Sequence, residues 1–219
     1  DPDDSVFYED PVYVGLDLSA KTDLTAMIMI AYRERWHVKC VFWTPEKGLK
    51  ERSKRDRAQY DVWVQMGLIR TIPGAAIDLE TVALDIAETL DGMNVAAIAY
   101  DRWRFDILKK ELIEIGFDLG VEGEDTYRLK PFGQGFKDMA PAIDSLEELL
   151  LNEQIAHGAN PVLTMCVANA KAVMDPAGNR KLDKAKATGR IDGAVALTMA
   201  IGVAIVQAQQ EKSFWERSE

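Results

Sequence analysis

Three aspartates stand in surroundings that do not favour a carboxylate. Asp17 lies inside the apolar run VGLDLS, Asp101 directly follows VAAIAY, and Asp192 opens the stretch IDGAVALTMA. A charged side chain among such residues is costly unless it is paired or holds a cation. Each also has a simpler role open to it. Asp17 could be a turn-edge residue, Asp101 the cap of a following helix, and Asp192 an N-cap or a first-turn acid favoured by the helix dipole. Gathered into one cleft, the three would repel one another unless cations neutralised them. Hard divalent ions prefer oxygen ligands, which points to Mg²⁺ or Mn²⁺. Two such ions, about 3.5–4 Å apart, can activate a water and stabilise the leaving oxygen of a phosphodiester. That chemistry needs neither histidine nor cysteine, and the chain has only two of each. Cys40, Cys166, His37 and His157 show no CxxC, HxxxH or HxH spacing, which disfavours zinc. Two free thiols suit a reducing compartment.

The surrounding pattern predicts the elements that would position these residues. Residues 12–18, 24–31 and 36–43 read as three strands joined by short turns, an antiparallel meander. A helix is expected over 53–66 with Ser53 as its cap, then a short strand over 68–72 ending at Pro73-Gly74. Val82, Ala83, Ile86, Ala87 and Leu90 give helical spacing over 78–90, and Gly92 ends that helix. The continuous apolar run 95–100 suits a strand buried on both faces. A helix over 105–115 with Ile107, Leu108 and Ile115 inward, a strand over 127–132 and a helix over 138–154 with Pro141 in its first turn follow. DPAGN within 174–182 marks a hairpin, and 191–209 a nearly all-apolar helix. The expected fold is therefore α/β: a ribonuclease H-like mixed sheet, meander plus parallel strands, with helices on both faces. If the first strand and the 95–100 strand are neighbours and the last helix crosses them, the three aspartates converge at carboxyl ends of strands, where ligands collect in such sheets.

The 219 residues suit one domain, here expected over 12–209, with residues 1–11 as a linker or edge and 210–219 as a C-terminal tail. The chain begins at Asp1 without Met, and reads as a piece of a longer polypeptide with no signal peptide. The apolar stretch 194–206 is shorter than the roughly 20 residues of a membrane span and reads as a buried helix. Net charge is −10, which argues against a surface that grips nucleic acid everywhere. Two segments run the other way. KGLKERSKRDR (47–57) has six basic and two acidic residues, and RKLDKAKATGR (180–190) has five basic and one acidic. The first is as readily a solvated face as a binding one. The second lies just before Asp192, so Lys184, Lys186 and Arg190 are candidate contacts to a phosphate backbone, sequence-independent and salt-sensitive.

GLDLS with KTDLTA after it, then AYDRW, then NRKLDKAKATGRIDGAVALTMAIG, resemble the nuclease domain of tailed-phage terminase large subunits. The resemblance covers about residues 12–208, and its late motif is the most specific; GLDLS alone is shared with many ribonuclease H-like proteins. It implies that Asp17, Asp101 and Asp192 bind two Mg²⁺ or Mn²⁺ ions and cut concatemeric viral DNA during genome packaging. Asp17 would bridge both ions and the other two would each hold one, leaving a 3′-hydroxyl and a 5′-phosphate. It also implies double-stranded DNA, the terminase small subunit, the portal and an N-terminal ATPase domain as partners, in the cytoplasm of an infected host or from a prophage, with no membrane. Asp23, Asn169 and Lys184 fall at family-like positions, Asp23 being more simply a turn or strand-end residue.

Other readings remain open at this point. A ribonuclease H-like Holliday-junction resolvase would share the chemistry, and a DNA-binding or scaffold module with a degenerate site would share the fold. Nucleases built on Asp/Glu-x-Lys are disfavoured because that tripeptide does not occur, and actin-like sugar kinases because a second lobe and phosphate loop are missing. GLDLSAKT nearly matches the phosphate-binding GxxxxGK[ST], but Ala20 replaces the second glycine and a strand-like run follows, so no helix N-terminus would face a phosphate.

Overall fold

The computed structural model describes residues 2–19, 21–102 and 105–216, with side chains described as far as residue 208. Ala20 of the near-miss phosphate loop and Trp103 of AYDRW lie outside the described residues.

A short helix, α1 (Val6–Glu9), leads into β1 (Val12–Asp17), β2 (Thr25–Arg33) and β3 (Arg35–Pro45). These form the expected antiparallel meander, in register from Val12 opposite Ala31 to Asp17 opposite Ala26. Glu34, at φ 62°, makes the tight turn between β2 and β3. Next come α2 (Leu49–Asp56), α3 (Tyr60–Gln65), β4 (Arg70–Ile72), α4 (Leu79–Leu90), β5 (Val95–Tyr100) and α5 (Phe105–Glu114). The chain continues through β6 (Leu129–Pro131), α6 (Phe136–Leu151), β7 (Ile155–Ala156) and α7 (Pro161–Asn169). The hairpin β8 (Ala172–Met174) and β9 (Arg180–Leu182) precedes α8 (Asp192–Glu216).

The main sheet has the order β4-β3-β2-β1-β5-β6, with β7 added beside β3. β5 runs parallel to β1, and β6 parallel to β5. The mixed sheet with helices on both faces is thus as expected. Strand periodicity sorts the two faces. Val12, Val14 and Leu16 of β1, with Met27, Met29 and Ala31 of β2, join the cluster formed with α4 and α5. Tyr13, Ala26, Ile28 and Ile30 point to the opposite face, where α8 lies with α3 and α7. Gly15 is on that second face, and a Cβ there would overlap the carbonyl of Ala196. The absent side chain lets α8 lie directly on the backbone of β1. Asp17, two residues further on, therefore points to the α8 face.

α8 is buried continuously from Asp192 to Ala204, which explains a sequence with no polar stripe. Among the described residues no helix is long and apolar enough to cross a membrane. The helix persists to Glu216, through much of the segment expected as a tail. At the other end, within residues expected as a linker, Val6 and Phe7 of α1 are fully buried in the core.

Other differences have local causes. The helix expected over 53–66 is two helices, because Arg57 adopts a left-handed conformation at φ 51°. α2 instead starts after Gly48, itself at φ 76°, and is pinned when Arg52 donates to the carbonyls of Pro45 and Lys47. In α5, Phe105, Leu108 and Leu112 face inward, while Ile107 is 56% exposed; the inward face begins at the aromatic residue. α6 begins two residues earlier than expected, so Pro141 lies inside it.

Candidate active site

The site forms where three parallel strands end together. Leu16 of β1 is in register with Tyr100 of β5, so Asp17 and Asp101 leave adjacent strands at the same level. β6 ends beside them at Pro131, and the chain turns through Gly133 to Gln134. α8 begins above this edge with Asp192. Gly193 lets it approach, since a Cβ there would come within 2.9 Å of the Phe42 ring.

Asp17 and Asp192 are both buried, at 2% and 7% exposure. The Lys184 ammonium donates to both oxygens of Asp17, at 2.9 and 2.7 Å, and lies 3.8 Å from Oδ1 of Asp192. Gln134 donates a further hydrogen bond to Asp17 Oδ1 at 3.2 Å. Oδ2 of Asp192 is buried with no hydrogen-bond partner. Burial pushes the Asp17 carboxyl above its ordinary range, Lys184 and Gln134 pull it back, and the charge of Asp101 adds to the rise. Burial likewise lifts Asp192, helped by Asp17 and opposed by Lys184 and Arg190, up to about 7. For Lys184, burial favours the neutral amine, but Asp17, Asp192 and Asp101 outweigh it and hold the ammonium above its usual value.

Beside this cluster lies a second ionic network. Arg190 pairs with Asp23 and Asp56, and Arg55 with the same two acids. The Tyr60 hydroxyl donates to Asp56 at 3.1 Å. The network joins the end of α2 to the loop after β1 and to the residues entering α8. Asn169 secures that entry from the other side, donating to the Arg190 carbonyl at 3.3 Å and accepting from Thr188 at 3.1 Å.

The structure therefore brings Asp17 and Asp192 onto one ammonium, with Asp101 near enough for its charge to act on Asp17 and Lys184. Among the described residues no three His, Cys, Asp or Glu side chains stand close enough to hold a metal ion unaided. Of the three candidate backbone contacts, Lys184 is turned to Asp17 and Arg190 to Asp23 and Asp56, while Lys186 is exposed and forms no ion pair among the described residues. Asp23 and Asn169 hold the loops around the site. Gln134 was missed from sequence, although its place just beyond a strand's carboxyl end is the signal that marked Asp101. Cys40 and Cys166 are free thiols, each pushed up to about 12 by burial.

A sequence model of the family "Terminase large subunit, endonuclease domain" matches residues 3–208. The chain belongs to that family. This terminase nuclease domain is 54% identical over 194 residues to the terminase large subunit of Enterobacteria phage HK97, covering 88% of the chain and 37% of that protein. It is 26% identical over 211 residues to the terminase large subunit of Lactococcus phage SK1, covering 92% of the chain and 36% of that protein. The domain thus spans well under half the length of these relatives. The crystal structure of the HK97 large terminase superposes with a TM-score of 0.82 at 52% identity, covering 89% of the domain and 39% of that chain. The large terminase nuclease of thermophilic phage G20c shares the fold, with a TM-score of 0.55 at 13% identity over 88% of the domain and 81% of that chain.

Proposed function

We propose that the domain is a divalent-metal-dependent DNA endonuclease, with Asp17, Asp101 and Asp192 as the metal-holding carboxylates. One observation carries this: two buried carboxylates share a single ammonium, while a buried oxygen of Asp192 has no partner at all. Such an oxygen is costly in a protein interior and suits a hard cation. When bound, a pair of Mg²⁺ or Mn²⁺ ions would supply an activated water and a stabilised leaving oxygen. Structures of the G20c nuclease with bound magnesium and with bound cobalt support divalent ions as the class.

The protein's own residues do the rest. Gln134 fixes the orientation of Asp17 through its amide. The Arg190–Asp23–Asp56 network and Asn169 hold the entry to α8, and so the position of Asp192. Lys50 and Lys54, one turn apart on α2, and Arg57, just past its end, are exposed and form no ion pair among the described residues. With Lys186 they offer phosphate contacts next to the site that carry no sequence information. In the parent protein this activity would cut concatemeric viral DNA during packaging in the infected host's cytoplasm, alongside an ATPase domain, the small subunit and the portal.

Supercoiled plasmid incubated with the domain should be nicked and linearised in Mn²⁺ or Mg²⁺ and remain intact in EDTA. Asp192→Asn should lower the rate by at least about 100-fold. Absence of metal-dependent cutting by the wild type, or full activity of Asp192→Asn, would overturn the proposal. Preference for four-way junctions over linear duplex would instead identify a resolvase.

A further inference from the structure

Lysine ordinarily buries its stem and keeps its ammonium in water. Lys184 does something different. Its side chain is 46% exposed, yet the ammonium ends on Asp17, whose side chain is only 3% exposed. The chain presents it from a turn organised by Asp183, which accepts from the backbone N–H groups of Ala185 and Lys186 at 2.9 and 3.3 Å. That turn belongs to the connection between β9 and α8 and lies outside the main sheet. Two buried acids this close cannot both stay ionised without a compensating charge. Among the described residues Lys184 is the sole cation within ion-pairing distance of either one. Arg190 is already paired with Asp23 and Asp56. The compensation is incomplete, because one positive charge serves two carboxylates and Oδ2 of Asp192 is left without a partner.

We propose that Lys184 is a resident counter-cation of the metal-free site, holding Asp17 and Asp192 together until a divalent ion displaces it from Asp17. This rests on the metal reading above. An ion ligated by Asp17 needs the oxygens that now accept from the ammonium, and the two positive charges repel. Metal entry therefore has to release Lys184. Its long, half-exposed stem lets the ammonium swing outward into solvent. The freed charge then becomes available to a phosphate only once the metal is in place. Metal loading and backbone binding are coupled through one side chain.

The test is calorimetric titration of the domain with Mn²⁺ together with thermal melting in EDTA, for wild type, Lys184→Met, and Lys110→Met as a control for the loss of one surface charge. Lys184→Met should bind Mn²⁺ about tenfold more tightly or better, since the competing charge is gone. It should also melt at a lower temperature than wild type in EDTA and show a larger Mn²⁺-induced rise. Lys110→Met should match wild type in both. Equal or weaker Mn²⁺ affinity in Lys184→Met overturns the proposal. If Lys184→Met does not fold without metal, Lys184→Arg decides. It keeps the charge with a more persistent carboxylate grip and should bind Mn²⁺ no better than wild type; tighter binding by Lys184→Arg overturns the proposal. If wild type itself binds no Mn²⁺, the metal reading falls and this one with it; wild-type binding with unchanged Lys184→Met sinks this one alone.

Discussion

Lys184 and Arg190 come from one basic stretch, yet the fold gives them different acids. Lys184 reaches Asp17 and Arg190 reaches Asp23, each across 167 residues of sequence. The sign of the charges and their nearness to Asp192 were legible in the sequence; which carboxylate each meets was not. That choice depends on how the loop after β1 and the end of α2 come together in three dimensions. Asp17, Asp101 and Asp192 were legible because their neighbours are too apolar for an unpaired carboxylate. Gln134 was not, because a neutral amide between two glycines carries no such cost. Asp56 allows a check at this scale. Its side chain is mostly buried and serves Arg55, Arg190 and Tyr60 at once. Asp56→Ala should destabilise the domain by about 1–3 kcal/mol in urea denaturation, because it leaves donors without a partner. Asp61→Ala, on the adjoining α3, should change stability far less.

Among the elements, strands were read more accurately than helices. β1, β2, β3 and β5 alternate or run continuously apolar, and a one-residue slip would turn every side chain to the wrong face. The break between α2 and α3 depends on one residue, Arg57, entering a left-handed conformation that its type does not announce. α7 was overlooked despite a start signal: Asn160 accepts from Val162 and Leu163 N–H at 3.0 and 3.1 Å, and Pro161 follows as the first helical residue. α4 shows what a cap contributes. Asp78 accepts from the Thr81 N–H at 3.0 Å, and hydrogen bonds from Thr81 hold its carboxyl below the ordinary 3.8. Asp78→Ala should cost about 1 kcal/mol near neutral pH. A carboxyl lowered in the folded state stabilises above its unfolded value and loses that contribution as pH falls through its folded one. The difference between Asp78→Ala and wild type should therefore narrow below pH 3.8, as followed by denaturant titration. Gly15→Ala tests the contact between α8 and β1. Its methyl would meet backbone, not a flexible side chain. It should lower stability by at least about 3 kcal/mol or prevent folding, measured by circular dichroism.

For the whole molecule, the balance of charge sets how DNA can be held. Twenty-six basic residues face 36 acidic ones, so most of the surface repels a phosphate backbone. On the function proposed above, affinity then falls to Lys50 and Lys54 of α2, to Arg57 just past its end and to Lys186. Replacing Lys50, Lys54 and Arg57 together by Gln should weaken binding of a random-sequence duplex at fixed salt. It should also flatten the dependence of log K on log salt by about 2–3. An unchanged slope would remove α2 from the interface. The placement of α8 also bears on how the protein is made. Asp17 leaves the ribosome 167 residues ahead of Lys184. At translation speeds of about 5–20 residues per second, that is a delay on the order of ten to thirty seconds. Throughout it, the emerging polypeptide carries Asp17 without the cation that neutralises it, the Asp192 carboxylate that shares that cation, or the helix that covers Gly15. On the function proposed above, a chain not yet translated through α8 cannot damage the DNA around it: cutting competence arrives only once α8 has been made.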